Sequence, residues 1–181
     1  GIDGDTSYEG AIVLPPKIGM YLDQPIPVLD FNSLYPSNMI AYNLSPDTLL
    51  YVKTFDLNGK KVKHEGLEVS NPEFKVDEVG YDIKNDEGVA IGRQVCGFVQ
   101  SNDNPQTLGL LPLTLDILLK KQKETRKRME KTEDDAQKSV LNGLQLAYKV
   151  VANSIYGQCG SKTSPIRRLE VAACTTAVGR Q

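Results

Sequence analysis

The sequence predicts an α+β fold, with an antiparallel sheet and a two-helix hairpin. Three observations predict it. Residues 50–105 carry short β-type runs separated by Asn-Gly, Asn-Pro and Asn-Asp turn signals. Residues 109–156 carry two apolar stripes at helical spacing, joined by a short charged link. Val28–Phe31 is a short apolar run that reads as a buried strand.

Residues 1–27 form the entry to the domain. Over 8–22, Tyr8, Gly10, Val13, Pro15, Pro16, Gly19 and Tyr21 mix apolar residues with turn formers, which predicts a strand and turn. Residues 28–50 hold the Val28–Phe31 strand with Asp30 inside it. A turn at Ser33 follows, then a short helix marked by Met39, Ile40 and Tyr42, closed by Pro46. Residues 51–108 read as a hairpin-rich insertion with β-type runs at Leu49–Val52, Glu68-Val69 and Val95–Val99. The insertion holds 10 of the 23 acids and carries no evident chemistry, so it is expected to be structural.

Residues 109–160 predict an αα-hairpin. Pro112 stands near the first helical position, and Leu111, Leu115, Leu118 and Leu119 form the first stripe. From Lys120 the helix turns basic, through Lys121, Lys123, Arg126, Lys127, Arg128 and Lys131. Glu133, Asp134 and Asp135 open the next helix, where acids suit the dipole. Val140, Leu141, Leu144, Ala147, Tyr148 and Val151 are expected to be its apolar face, with Gly157 and Gly160 at its end. Residues 161–181 return toward the sheet.

Composition excludes several classes. The chain has 181 residues, 40% hydrophobic and 24% charged, which excludes collagen-like, coiled-coil and fully disordered chains. No apolar stretch approaches the ~20 residues of a membrane-spanning helix. The formal net charge of −2 conceals a split. Residues 1–105 hold 8 basic and 16 acidic residues, a net of −8, while residues 106–181 hold 13 and 7, a net of +6. Two surfaces with different partners are implied. Cys96, Cys159 and Cys174 form no CxxC pair, which argues against zinc or a disulfide framework and for a reducing compartment. The single histidine, His64, is expected in a surface loop, so catalysis is not expected to use histidine. The chain begins at Gly1 without Met and ends at Gln181 with no stop signal, so an internal fragment of a longer protein is expected.

Two segments carry chemistry. In the first, an acid at a strand end, Asp30, precedes Phe31-Asn32-Ser33-Leu34-Tyr35-Pro36-Ser37. A buried carboxylate needs a partner or a metal, and the backbone N–H groups of the Ser33–Tyr35 turn can cradle phosphate oxygens. A capping or turn acid is the simpler reading of this segment alone. In the second, Lys149, Asn153 and Tyr156 fall on one face of a helix. A cation, an amide and a ring suit phosphate, sugar and base in turn. Read alone, that helix is an ordinary amphipathic one with a solvated lysine. Arg126 adds a second cation to the same phosphate site if the hairpin is antiparallel.

Together the segments resemble a known family. DFNSLYPS at Asp30–Ser37 resembles motif A of family B DNA polymerases, DFxSLYPS, and KVVANSIYG at Lys149–Gly157 matches their motif B, KxxxNSxYG. Gly109–Pro112 is similar to the GLLP start of the fingers. YEGAIVLPPKIGMY at Tyr8–Tyr21 is similar to the stretch joining exonuclease and palm. GQCGSKTSPI and AACTTAVGR are similar to polymerases of nucleocytoplasmic large DNA viruses. The resemblance covers most of the chain, most loosely over 52–105.

The resemblance implies a partial palm, with an antiparallel sheet bearing Asp30, and a fingers hairpin projecting from it. It implies that Asp30 and the Phe31 carbonyl hold Mg²⁺, two ions in the complete enzyme. Ser33, Leu34, Arg126, Lys149 and Asn153 would bind the nucleotide, Lys149 with a catalytic role. Tyr35 would be the gate that stacks under the deoxyribose and excludes a 2′-OH. Tyr8, Gly10, Tyr156 and Gly157 would contact primer-template DNA. The implied partners are dNTPs, primer-template DNA and a sliding clamp, with no membrane. The implied location is intracellular, in a host nucleus or a cytoplasmic virus factory.

Two departures stand out. Gln122 occupies the fingers position where relatives carry a phosphate-binding Arg, and Arg126 keeps the second cation. Motif C, YGDTDS, is absent after Gly157, and Gly4-Asp5-Thr6-Ser7 lacks its paired Asp. The fragment alone is therefore expected to be inactive, because one Asp cannot fix two metals. The competing readings are a non-catalytic polymerase-like nucleic-acid-binding module, favoured by Gln122, and a reverse-transcriptase-like palm, which would not be expected to carry KxxxNSxYG on a helical hairpin.

Overall fold

The structure, a computed structural model, describes residues 8–20, 22, 25, 27, 33–69, 75–101 and 107–181. Its elements run α1 (Leu34–Ala41), β1 (Leu49–Phe55), β2 (Lys61–Gly66), β3 (Val76–Lys84), β4 (Ala90–Val99), α2 (Leu110–Glu130), α3 (Asp135–Gly160) and α4 (Leu169–Gly179). The strands form one antiparallel sheet in the order β2-β1-β4-β3, and with the helices give the expected α+β fold.

Both hairpin turns use the same device. Asp56 Oδ1 accepts from the backbone N–H of Asn58 (3.0 Å) and Lys60 (2.8 Å). Asn85 Oδ1 accepts likewise from Glu87 (3.1 Å) and Val89 (2.9 Å). Such Asx turns need a left-handed residue before the chain re-enters the ladder, and Gly59 and Gly88, each at φ 77°, supply it. The Asn58-Gly59 and Asn85-Asp86 signals thus mark real turns, whereas Asn71-Pro72 and Asn102–Pro105 lie outside the described residues. The Glu68-Val69 run is not a strand: Gly66, at φ 95°, turns the chain out of the ladder first. His64 lies in β2 rather than a loop, its ring 5.8 Å from that of Tyr51.

One sheet face is the core. Val52 and Thr54 of β1, Val79, Tyr81 and Ile83 of β3, and Cys96 and Phe98 of β4 are buried at alternate positions. Helix α4 packs on β3 and also contacts α1 and α3. Residues Val171–Val178 are all buried, and the small side chains of Ala172, Ala173, Cys174 and Ala177 let neighbouring elements approach closely. The three cysteines are free and buried. Burial pushes the Cys159 thiol up to about 11 and the Cys174 thiol well above its ordinary value, which leaves both inert as nucleophiles.

Two further expectations need correction, and a third lies outside the described residues. Residues 8–20 and 22 form no strand, since Pro15 and Pro16 offer no ladder donor. The strand expected at Asp30 lies outside the described residues; among those described, the sheet is built from 49–99, nearly all of it within the stretch read as an insertion. Gly157 does not end the second helix but lies inside α3, which stops only at Gly160.

The start of α2 is capped from outside. Its N-cap, Gly109, has no side chain to satisfy the first orphan N–H groups. The loop after α1 does so instead. Asn43 Oδ1 accepts from Gly109 N (2.8 Å), Asp47 Oδ2 from Leu110 N (3.0 Å) and Ser45 Oγ from Leu111 N (3.4 Å). Asn43 Nδ2 also donates to the Val99 carbonyl at the end of β4 (2.8 Å). The base of the hairpin is thereby tied to α1 and to the sheet.

Candidate active site

Helices α2 and α3 pack antiparallel along a seam with coiled-coil spacing. On α2 it is Leu111, Leu115, Leu118, Gln122 and Thr125; on α3 it is Leu141, Gln145, Tyr148, Ala152, Ile155 and Cys159. This corrects the expected face of α3. Of the expected residues, Leu141 and Tyr148 do lie in the seam, while Val140, Leu144 and Val151 are 72%, 39% and 48% exposed and Ala147 is exposed too, because apolar side chains also cover the outer surface of the helix. A buried amide pair sits mid-seam, where Gln122 Nε2 donates to Gln145 Oε1 at 3.3 Å. Gln145 Nε2 donates in turn to Asn142 Oδ1 at 3.0 Å.

That frame sorts the polar residues by side. In an antiparallel pair, Leu119, Lys123 and Arg126 flank the seam on one side of α2. Lys149, Asn153 and Tyr156 flank it on the same side of α3. Two contacts show that α1 lies there. The Tyr35 ring is 4.5 Å from the Tyr156 ring, and Ser37 lines a cavity of about 470 Å³ with Leu119, Gln122, Lys123, Arg126 and Lys127. The Gln122–Gln145 bond sets the level of the helices, placing Arg126 opposite Leu141 and Lys149 opposite Leu118. Eight residues then separate Arg126 from Lys149 along the hairpin, about 12 Å at ~1.5 Å per residue. Their long side chains can reach one extended polyphosphate from its two ends.

Asp30 and Phe31 lie outside the described residues. Ser33 is the N-cap of α1 in a left-handed conformation (φ 52°), and its buried Oγ has no partner among the described residues. Leu34 and Tyr35 open the helix, and Pro36 lacks an N–H, so the donors facing out of the first turn belong to those two residues. Tyr35 meets Tyr156 as described, and Tyr156 Oη lies 3.3 Å from Tyr8 Oη. Burial first, then the Tyr8 hydroxyl, raises the Tyr156 phenol above its ordinary value, so it stays protonated at neutral pH. Arg126, Lys149, Asn153, Gly157 and Gly10 are exposed. Among the described residues, no carboxylate pairs with Lys123, Arg126 or Lys127, while Lys120 pairs with Asp116 (2.6 Å). Sequence reading missed Ser37 and Lys127 as cavity residues. The signal that finds them is the seam spacing, which shows which flank of α2 faces α1.

No cluster of three or more His, Cys, Asp or Glu side chains exists among the described residues. The donor set at 30–31, a carboxylate and a backbone carbonyl, is chemically suited to Mg²⁺, which prefers hard oxygen ligands.

The family described as DNA polymerase family B matches residues 2–181. The chain is 36% identical to a DNA polymerase of Phaeocystis pouchetii virus, over 98% of this chain and 18% of that protein. It is 38% identical to the DNA polymerase delta catalytic subunit of Candida albicans, over 96% of this chain and 14% of that protein. Among solved structures, the family B DNA polymerase of the archaeon Pyrobaculum calidifontis aligns with a TM-score of 0.57 and 32% identity, over 94% of this chain and 18% of that one. The chain thus spans less than a fifth of the length of these relatives. Motifs, hairpin and comparisons agree: this chain belongs to DNA polymerase family B.

Proposed function

We propose that this chain is the palm and fingers part of a DNA-directed DNA polymerase that adds dNTPs to a primer 3′-OH. The observation that carries the reading is the meeting of α1 and the hairpin. Tyr35 faces Tyr156 beside a cavity lined by Lys123 and Arg126. A sugar can stack on the Tyr35 ring, while the triphosphate runs between the N-terminus of α1 and the cations of the hairpin. Arg126 and Lys149 neutralise the phosphates and hold the α-phosphate in line with the attacking 3′-oxygen. Attack breaks the bond to the leaving pyrophosphate and forms a phosphodiester. Tyr35 excludes a 2′-OH by occupying its space. Bound at Asp30 and the Phe31 carbonyl, Mg²⁺ would supply Lewis-acid polarisation and neutralise charge at the reacting phosphate.

Primer extension by the full-length enzyme tests this. The Asp30→Ala variant is expected to lose extension. Equal activity in the two proteins refutes the metal-ligand role of Asp30. The non-catalytic alternative predicts no extension by either protein.

A further inference from the structure

Among the described residues, helix α4 touches no nucleotide-facing residue through a polar contact, yet it grips the segment that carries Tyr8. Arg180, just past its end, donates from Nη1 to the carbonyls of Glu9 (2.6 Å) and Gly10 (3.0 Å). Thr176, itself buried, directs its hydroxyl to the Glu9 carbonyl at 3.0 Å, sharing its proton with the Ala173 and Ala172 carbonyls of its own helix (2.9 and 3.4 Å). The Glu9 side chain pairs with Lys84 of β3 at 3.2 Å. These bonds fix a segment that has no secondary structure to hold it.

Two glycines show how closely the segment and the gate are fitted. A Cβ at Gly160 would stand 2.7 Å from Tyr8 Oη, nearer than atoms tolerate. A Cβ at Gly179, the last residue of α4, would press at 3.3 Å on both the Tyr35 ring and the Asn38 amide. The contacts form a continuous chain. Arg180 and Thr176 hold Glu9 and Gly10; these place Tyr8; Tyr8 bonds to Tyr156; and Tyr156 lies against Tyr35.

We infer that Thr176 and Arg180 are positioning residues for sugar selection: they strap the Tyr8–Gly10 segment so that Tyr8 and Tyr156 hold the Tyr35 ring at the depth that excludes a ribose. The inference rests on the polymerase reading proposed above. A ring that only blocks space discriminates as well as it is held, and an ångström of slack at a reacting sugar changes rates by orders of magnitude.

The test uses the full-length enzyme and single-nucleotide incorporation, reading kcat/KM for dNTP against rNTP. Arg180→Gln and Gly160→Ala are each expected to lower the dNTP preference about tenfold or more, with Tyr35→Ala as the reference for complete loss. Because Gly160→Ala acts by meeting the Tyr8 hydroxyl and Tyr8→Phe by removing that hydroxyl's bond to Tyr156, the two changes should combine to less than the sum of their separate effects, a coupling that general destabilisation does not produce. Unchanged discrimination in Gly160→Ala and in folded Arg180→Gln, with discrimination lost in Tyr35→Ala, overturns the strap alone. Strict additivity of Gly160→Ala and Tyr8→Phe overturns it too. Unchanged discrimination in Tyr35→Ala overturns the gate reading on which the inference stands.

Discussion

Gln122 shows how one residue can serve both seam and site. It is 8% exposed, lines the cavity between α1 and α2, and donates to Gln145 across the helix pair. An amide there makes a neutral hydrogen bond worth about 0.5–1.5 kcal/mol net. A guanidinium would lose that bond and gain a charge-assisted contact to a polyphosphate, worth roughly 1–3 kcal/mol. The second term is the larger, so Gln122→Arg in the full-length enzyme is expected to lower KM for dNTP by up to about tenfold, with a small fall in thermal stability. Steady-state kinetics checks it, and an unchanged or raised KM refutes it. The sequence singled out Gln122 as a departure from its relatives. Its partner Gln145 was not legible, because a buried amide pair leaves no mark in a hydrophobic pattern. The two motifs marked Tyr35 and Tyr156 separately, but their contact, and the hydroxyl pair that brings in Tyr8, depend on three-dimensional placement.

Among the elements, the start of α2 and the start of α3 are stabilised in different ways, and this predicts different costs. Asp134 caps α3 locally, its carboxylate accepting from Gln137 N at 2.7 Å. Asp134→Ala should cost about 1 kcal/mol, as a lost N-cap does. Asn43 is a longer-range tie. It is 1% exposed, sits at φ 51°, and bonds both to Gly109 N and to the Val99 carbonyl. Asn43→Ala leaves a buried N–H and a carbonyl without partners and puts a Cβ-bearing residue without a helpful side chain in the left-handed region. The expected loss is about 2–4 kcal/mol. Denaturant melts of the two variants compare them directly, and equal costs would contradict the account. The hairpin and the Asx turns were legible because their signals are local. The expected face of α3 was too wide, because apolar side chains cover both its seam and its outer surface. Val140 and Val151 satisfy a helical stripe as well as Leu141 and Tyr148 do, and only the partner helix decides between them.

For the whole molecule, the separation of charge becomes an arrangement in space. The basic run of α2 wraps its helix, so the seam divides it into two flanks. Lys123, Arg126 and Lys127 line the cavity shared with α1, while Arg128 lines a second cavity, at the hairpin tip, with Ala136, Gln137, Val140 and Leu141. Lys121 falls on the flank away from α1 by the same seam geometry. A helix is about 10–12 Å across, and the Debye length at physiological ionic strength is about 8 Å. Charges on the far flank are therefore largely screened from a phosphate in the near cavity. The paired variant Lys123→Ala/Lys127→Ala is expected to raise KM for dNTP several-fold at low salt, with the effect shrinking as salt rises. Lys121→Ala/Arg128→Ala removes the same formal charge and should leave KM nearly unchanged. If the two pairs raise KM equally, capture depends on net charge alone and the two-sided arrangement does not govern it. If only the near pair acts, and its effect fades with ionic strength, the field that draws in the nucleotide comes from the face that α1 closes.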